Sequence, residues 1–514
     1  MKAMFWWKPC SLVALATLSS LMFAAEAATP GETTDKQQTL RLISEALKSS
    51  PLETNLRTLT DDVGGRVPGT PAFQRAAEWA TAAFKEAGGE RVHTEEFSMP
   101  HSWSEGATSM TASLYSGTTF PVRAVSVAWA PALEHATHLP IVDVGEGSAE
   151  DFARVGDISG KVLLVHSKVL VTWDDLFLEY ERAPQVIKRA VKGNAKAIAF
   201  MATRDRGILY RHTNSVSGEI DALPQLVVAR QDGERIARLL ATAHPVWADI
   251  SIPNKIGGPF KTWNVVAEIP GTQISGTEIP GTQKPQEFVI LGAHLDSWEL
   301  GTGALDNGCN SALVIDALRA IKDSGLKPKR TIRFILFSGE EEGLLGSRAY
   351  ATSHRKELDS AAGVIIFDSG TGKTTSFSSG GRKDVVAAAT AMLAPLEKFG
   401  VTKAAPTAEA GTDHFDFMLE GVPTFVADQD EANYMENYHA TTDTYDKVDF
   451  TQLKKNVAVA AYFTFALANA ETRLGPRISR EQIEETLRES KLDQELKNMG
   501  MWDEWEKGRR GRER

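Results

Sequence analysis

Three polar clusters in this sequence each follow an apolar run. Residues 288–293 (FVILGA) lead into His294-Leu-Asp296, residues 331–339 (TIRFILFSG) into Glu340-Glu341-Glu342, and residues 364–367 (VIIF) into Asp368. Imidazole nitrogen and carboxylate oxygen are donors that a borderline divalent metal accepts. With no thiolate set available, zinc leads the candidates. A single carboxylate at the end of a strand is usually the cap of the next helix, but several beside a histidine are harder to dismiss that way. Because strand side chains alternate, His294 and Asp296 point to one face, which places the Asp296 carboxylate against the ring nitrogen not bound to metal. Asp306, in Ala304-Leu-Asp306-Asn307-Gly308, precedes a helix and reads equally well as an ordinary cap.

The elements that must position these groups alternate in type. Apolar runs at 288–291, 331–337, 364–367 and 424–427 are interleaved with helical patterns at 311–323, 385–393 and 450–470. Strand alternating with helix implies an α/β fold, a mainly parallel sheet with helices on both faces. In such open sheets the ligand crevice forms at the carboxyl ends of the strands, where the three polar clusters fall. Upstream, 39–65 is helical in pattern and 72–87 is a strongly amphipathic helix ending at Gly88-Gly89. Residues 116–259 have a different texture: short apolar runs at 140–144, 162–165, 195–201 and 223–228 between Gly and Asp turns, and one helical stretch at 232–241. They read as a small β-rich domain inserted between 28–115 and 260–475. The hexapeptide EIPGTQ occurs at 268 and again at 278, too short a repeat for a solenoid and best read as a lengthened surface loop. Beyond 475 the chain is charged, and 480–498 is expected as a solvated helix in an exposed tail, 476–514.

Taken together, His294-Leu-Asp296-Ser, Gly303-Ala-Leu-Asp306-Asn307, Glu340-Glu341-x-Gly343-Leu-x-Gly346-Ser, Asp368 and Tyr438-His439-x-Thr-x-Asp443-Thr resemble the motif set of the di-zinc exopeptidases. That group includes secreted aminopeptidases, carboxypeptidase Q and prostate-specific membrane antigen, and the carboxypeptidase Q branch is nearest. Arg66-Val-Pro-Gly-Thr-Pro resembles the N-terminal segment of the family, and 116–259 its protease-associated domain. The resemblance implies two Zn2+ per chain bridged by Asp306, with His294 and Asp368 completing one site and Glu341 and His439 the other. It makes Glu340 the general base toward a metal-bridged hydroxide and Tyr438 a donor to the oxyanion. The downstream Gly343-Leu344 sets the register of the three glutamates. Asp443 is expected to orient His439. Asp413-His414 resembles a family element near the pocket, read chiefly as structural, and Cys309 reads as an inert buried thiol.

Composition agrees with this class of function. The 514 residues are 42% hydrophobic, as expected for a globular chain, and 67 acidic against 56 basic residues give a net charge of -11, which argues against nucleic acid as a partner. Residues 1–27, with Lys2 and Lys8, an apolar stretch and Ala25-Glu26-Ala27, read as a cleaved secretory signal. The mature protein is then secreted or periplasmic and free of the membrane, and with Cys309 as its one remaining cysteine it has no disulfide framework. The expected activity is hydrolysis of short peptides or dipeptides from the amino end, and the family's relatives suggest a homodimer. A carboxypeptidase is the alternative, with Arg382-Lys383 available for a terminal carboxylate. Glutaminyl cyclase and a metal-free receptor-like protein share this fold, but both predict a broken ligand set, whereas all five positions are filled here.

Overall fold

The computed structural model describes residues 30–272 and 286–513. The stretch read as a signal, and most of the repeated hexapeptide segment, lie outside the described residues. No described helix is long and apolar enough to cross a membrane.

Two eight-stranded sheets organise the chain. The first runs in the order Glu90–Met99, Phe260–Ile269, Thr331–Phe337, Phe288–His294, Ala361–Ile366, Thr424–Gln429, Thr374–Ser378, Lys403–Ala405. Its four central strands, from Thr331–Phe337 to Thr424–Gln429, are mutually parallel, and antiparallel pairings flank them on both sides. Phe288–His294 is buried along its whole length, as a strand covered on both faces must be. On one face the helices Cys309–Ser324 and Phe450–Asn469 pack with Leu56, Phe73 and Phe84. On the other, Tyr350, Leu358, Phe417 and Val422 close over Ile290 and Ile335. The mixed α/β sheet sandwiched by helices is therefore as the alternation of runs implies. The four central strands and the helices Cys309–Ser324, Lys383–Leu393 and Phe450–Asn469 lie within a few residues of the expected spans, whereas Glu90–Met99, Phe260–Ile269, Thr374–Ser378 and Lys403–Ala405 have no counterpart in the sequence reading.

The second sheet takes all its strands from residues 109–252, in the order Thr119–Val122, Ser109–Leu114, Val246–Ile252, Leu133–Asp143, Val162–Val165, Ala197–Met201, Gln225–Val228, Ala124–Ser126. On either side of this stretch, Glu90–Met99 and Phe260–Ile269 pair antiparallel with each other in the first sheet. Each of the four expected apolar runs contributes to a strand here. The unit also holds a helix that the sequence reading lacks, Trp173–Lys192, which buries only Leu176, Ala183, Val186 and Ala190 and has Pro184 inside it. Its apolar positions Trp173, Leu176, Phe177, Tyr180, Ala183, Ile187 and Ala190 recur at helical spacing, and Thr172 with Asp175 forms an N-terminal capping box, so both signals were present in the sequence.

The C-terminal segment departs from expectation. Instead of one solvated helix it forms three short ones, Arg480–Glu489, Leu492–Asn498 and Trp502–Glu506. Ile483, Leu487, Leu492, Leu496, Met501 and Trp505 are buried against Leu344, Phe415, Met418 and Leu419. The apolar pairs Ile483/Leu487 and Leu492/Leu496 recur at helical spacing, and each makes a narrow docking stripe within a charged stretch.

Candidate active site

The five residues expected to hold metal converge at the carboxyl edge of the first sheet. His294 ends its strand, Asp368 follows Ala361–Ile366, and Glu340 and Glu341 follow Thr331–Phe337. Asp306 lies in the turn Ala304–Gly308 that enters the helix Cys309–Ser324, and His439 follows the short helix Tyr434–Asn437. His294 Nε2 stands 3.1 Å from Asp306 Oδ1 and 3.0 Å from Asp368 Oδ1. His439 Nε2 stands 2.8 Å from Glu341 Oε2 and 3.3 Å from Asp306 Oδ2. Asp306 thus presents one oxygen to each of two triads, and the donor atoms within each triad lie within 4.8 Å of one another.

These residues fit a pair of small divalent cations. At bond lengths of about 2.0 Å, the ligand atoms of a tetrahedral zinc stand about 3.3 Å apart, close to the separations above. Asp306 Oδ2 and Glu341 Oε1 are buried and have no hydrogen-bond partner among the described residues, as expected of atoms whose partner is a metal. The charges agree with this. Burial pushes Glu341 up to about 7 against the pull of His439. Burial also pushes Glu340 well above the carboxylate range, with Asp368 and Glu341 adding to it and His294 opposing. Burial opposes the charge on His439, yet Glu341 and Asp306 hold its imidazole at about 9. Four carboxylates, two buried and two partly buried, crowd two buried imidazoles, and two dications would supply the missing positive charge.

Glu340 belongs to neither triad. Its carboxylate comes within 3.9 Å of His294 Nε2 and lines the same cleft. The loop that carries it depends on Gly343, whose φ is +110° and where a Cβ would lie 2.2 Å from the Val216 carbonyl oxygen. Tyr438 stacks on His439 with ring centroids 3.6 Å apart, and its carbonyl accepts from Arg204 Nη2 at 2.9 Å. Arg66 is fully buried and ties the loops of the site together, donating to the carbonyls of Leu295 at 2.7 Å, Thr302 at 2.8 Å and Gly303 at 2.9 Å.

Of the two supporting acids, Asp443 is placed differently from expectation. The Asp296 carboxylate stands 3.7 Å from His294 Nδ1 and accepts the Glu341 backbone N–H at 3.3 Å, while its main-chain carbonyl meets that ring nitrogen at 3.1 Å. Asp443 accepts from the backbone N–H groups of Leu305 and Asp306 and not from His439. His439 Nδ1 has no partner among the described residues.

The cleft over the two triads has a volume of about 390 Å³, within the range of small-molecule sites. Several of its walls come from residues that the sequence reading did not single out. Tyr180, from the helix Trp173–Lys192, brings its hydroxyl to 3.4 Å from that of Tyr438. Glu409 and Asp428 add carboxylates, and burial pushes Glu409 up to about 7. No Lys or Arg is among the described residues lining this cleft. Arg382 is paired with Asp384 at 2.7 Å and Lys383 with Glu489 at 2.7 Å, and neither lines it. Cys309 is buried and donates to the Leu305 carbonyl. His414 is buried behind the cleft against the Glu409 carbonyl, and burial lowers it to about 4.

The chain is similar to known peptidases. Residues 264–464 match Peptidase family M28. The chain is 27% identical over 438 residues to carboxypeptidase Q of Mus musculus, covering 82% of this chain and 86% of that protein. It is 24% identical over 360 residues to aminopeptidase YwaD of Bacillus subtilis, covering 69% of each. The crystal structure of a peptidase M28 precursor from Shewanella amazonensis superposes with a TM-score of 0.76 at 26% identity, covering 87% of this chain and all of that one, 100%.

Proposed function

The chain is a member of peptidase family M28, with residues 264–464 carrying the match, and from that premise we propose that it is a secreted or periplasmic di-zinc exopeptidase acting on the amino end of short peptides, dipeptides included. One observation carries the proposal: the two triads sharing Asp306 lie in a cleft with further carboxylates at Glu409 and Asp428 and no lining Lys or Arg. A terminal ammonium suits such a lining, and a terminal carboxylate does not.

In this reading His294 and Asp368 would hold one zinc, Glu341 and His439 the other, and Asp306 would serve both. When bound, such cations would supply acidified water and polarisation of the scissile carbonyl. Glu340, outside both triads, takes the proton of the attacking water and returns it to the departing amine. The Tyr438 hydroxyl donates to the carbonyl oxygen as negative charge develops there. Asp296 and Asp443 act through the backbone, steadying the Glu341 and Asp306 segments. The 109–252 unit, inserted between two strands of the first sheet, supplies one wall of the cleft through Tyr180 and its helix. The export step rests on the signal-like residues 1–27.

A carboxypeptidase is the second reading, favoured by the likeness to mouse carboxypeptidase Q. Dipeptides offered free, N-acetylated and C-amidated separate the two. The proposal expects release of amino acids from the free and amidated forms and none from the acetylated form. The reverse pattern would make the enzyme a carboxypeptidase, and no release from any form would overturn the peptidase reading.

A further inference from the structure

We propose that the C-terminal segment, residues 476–513, is part of the substrate-binding site, and that Met499 and Met501 determine specificity for a large apolar side chain next to the scissile bond. The inference rests on the peptidase reading above and adds a subsite to it. Met499 and Met501 line the same cleft as His294, Asp306 and Glu340, and they face it together with Trp173, Phe177 and Leu344. Three separate parts of the chain therefore build one apolar wall: the helix Trp173–Lys192, the loop after the glutamates, and the C-terminal segment.

That wall is fixed in place. Met501 is buried in the cluster that holds Leu344, Phe415 and Trp505. Arg510 makes two hydrogen bonds to Asp416, at 2.7 and 2.8 Å, with both side chains buried. The Arg480 guanidinium lies 3.7 Å from the centre of the Trp505 ring, and Arg348 pairs with Glu504 at 2.7 Å. On the other side Asn498 donates to Glu181 of the helix Trp173–Lys192 at 2.9 Å, which ties the segment to the helix that carries Trp173 and Phe177. Methionine suits the role, because an unbranched thioether moulds itself to aliphatic and aromatic partners alike. A charged side chain seated there would lose its hydration and gain no partner from these five residues.

The test measures kcat/KM of the zinc-loaded, full-length protein on dipeptides in which each position in turn is Leu, Met, Phe, Ala, Asp or Lys. At one of the two positions Leu, Met or Phe should exceed both Ala and Asp at least about 10-fold, and Lys should gain no advantage. Met499→Ala, at a partly buried site, should shrink that ratio several-fold, Met499→Leu should preserve it, and Met499→Ala with Met501→Ala should abolish it. Absence of discrimination at both positions in the wild-type protein, a preference for Lys, or an unchanged ratio in Met499→Ala would overturn the inference while leaving the peptidase reading intact. Failure of the wild-type protein to cleave any dipeptide would instead sink the reading beneath it.

Discussion

The Asp443 carboxylate receives the backbone N–H of Asp306 at 3.1 Å and that of Leu305 at 2.7 Å, so one buried acid fixes the main chain from which Asp306, common to both triads, projects. Outer partners of this kind keep a ligand aimed before the metal arrives. Asp443→Ala is therefore expected to weaken zinc binding about 10- to 100-fold while all five ligands remain. Competition against a chelator of known affinity measures this. An affinity equal to that of the wild-type protein would show that the Asp306 turn holds its shape unaided.

Arg510 and Asp416 tie the end of the chain to the helix His414–Leu419, and both side chains are buried. Removing one partner of a buried pair leaves an uncompensated charge, at a cost of about 3 kcal/mol or more. Arg510→Met should accordingly release the C-terminal segment and speed its cleavage by a protease under native conditions roughly 100-fold. Arg510→Met with Asp416→Leu should restore much of the protection. Equal cleavage of wild-type and Arg510→Met protein would mean that the apolar stripe alone holds the segment.

His354 and Glu95 join the end of the helix Leu345–Ser353 to the strand Glu90–Met99 at 2.9 Å. The hydrogen bond to Glu95 raises His354, against burial and Arg333 and with help from Glu357. Burial would raise Glu95, but His354 and His93 outweigh it and bring it down. The raised histidine contributes stability that is complete below its unfolded pKa of about 6.5 and lost as pH rises through its folded value. The depressed glutamate contributes stability that is complete above about 4.5 and lost as pH falls through its folded value. Between those limits both contributions are present. His354→Gln should therefore lower the urea midpoint most near pH 5 to 6, by an amount equivalent to about 1 kcal/mol or less, and progressively less toward pH 8. A difference independent of pH between 5 and 8 would contradict the ion pair.

Much of this architecture could be read from the chain. The central strands are apolar on both faces and so appear as unbroken runs, and the residues that close those runs are the ones the structure gathers into two triads around Asp306. Asp443 departs from its expected role because it acts through main-chain groups, which motif spacing does not describe, while the Asp296 carboxylate lies 3.7 Å from His294 Nδ1 and also takes the Glu341 backbone N–H. Tyr180, Glu409, Met499 and Met501 reach the cleft through tertiary contacts; Glu409, Met499 and Met501 lie outside helices and strands, so no local period marks them as facing a site, although Thr172 with Asp175, and the i,i+4 pair Ile483 and Leu487, mark where neighbouring helices begin or dock.

In the proposed mechanism one carboxylate, Asp306, serves two cations at once. Metal content measured by mass spectrometry alongside peptidase activity tests it most directly, across a titration of metal-stripped protein with zinc. Two equivalents per chain are expected for the wild-type protein at full activity and also for zinc-loaded Glu340→Gln, whose turnover should be at least about 100-fold lower, and Asp306→Ala should retain fewer than two. Full activity with a single zinc, or with none, would contradict the account.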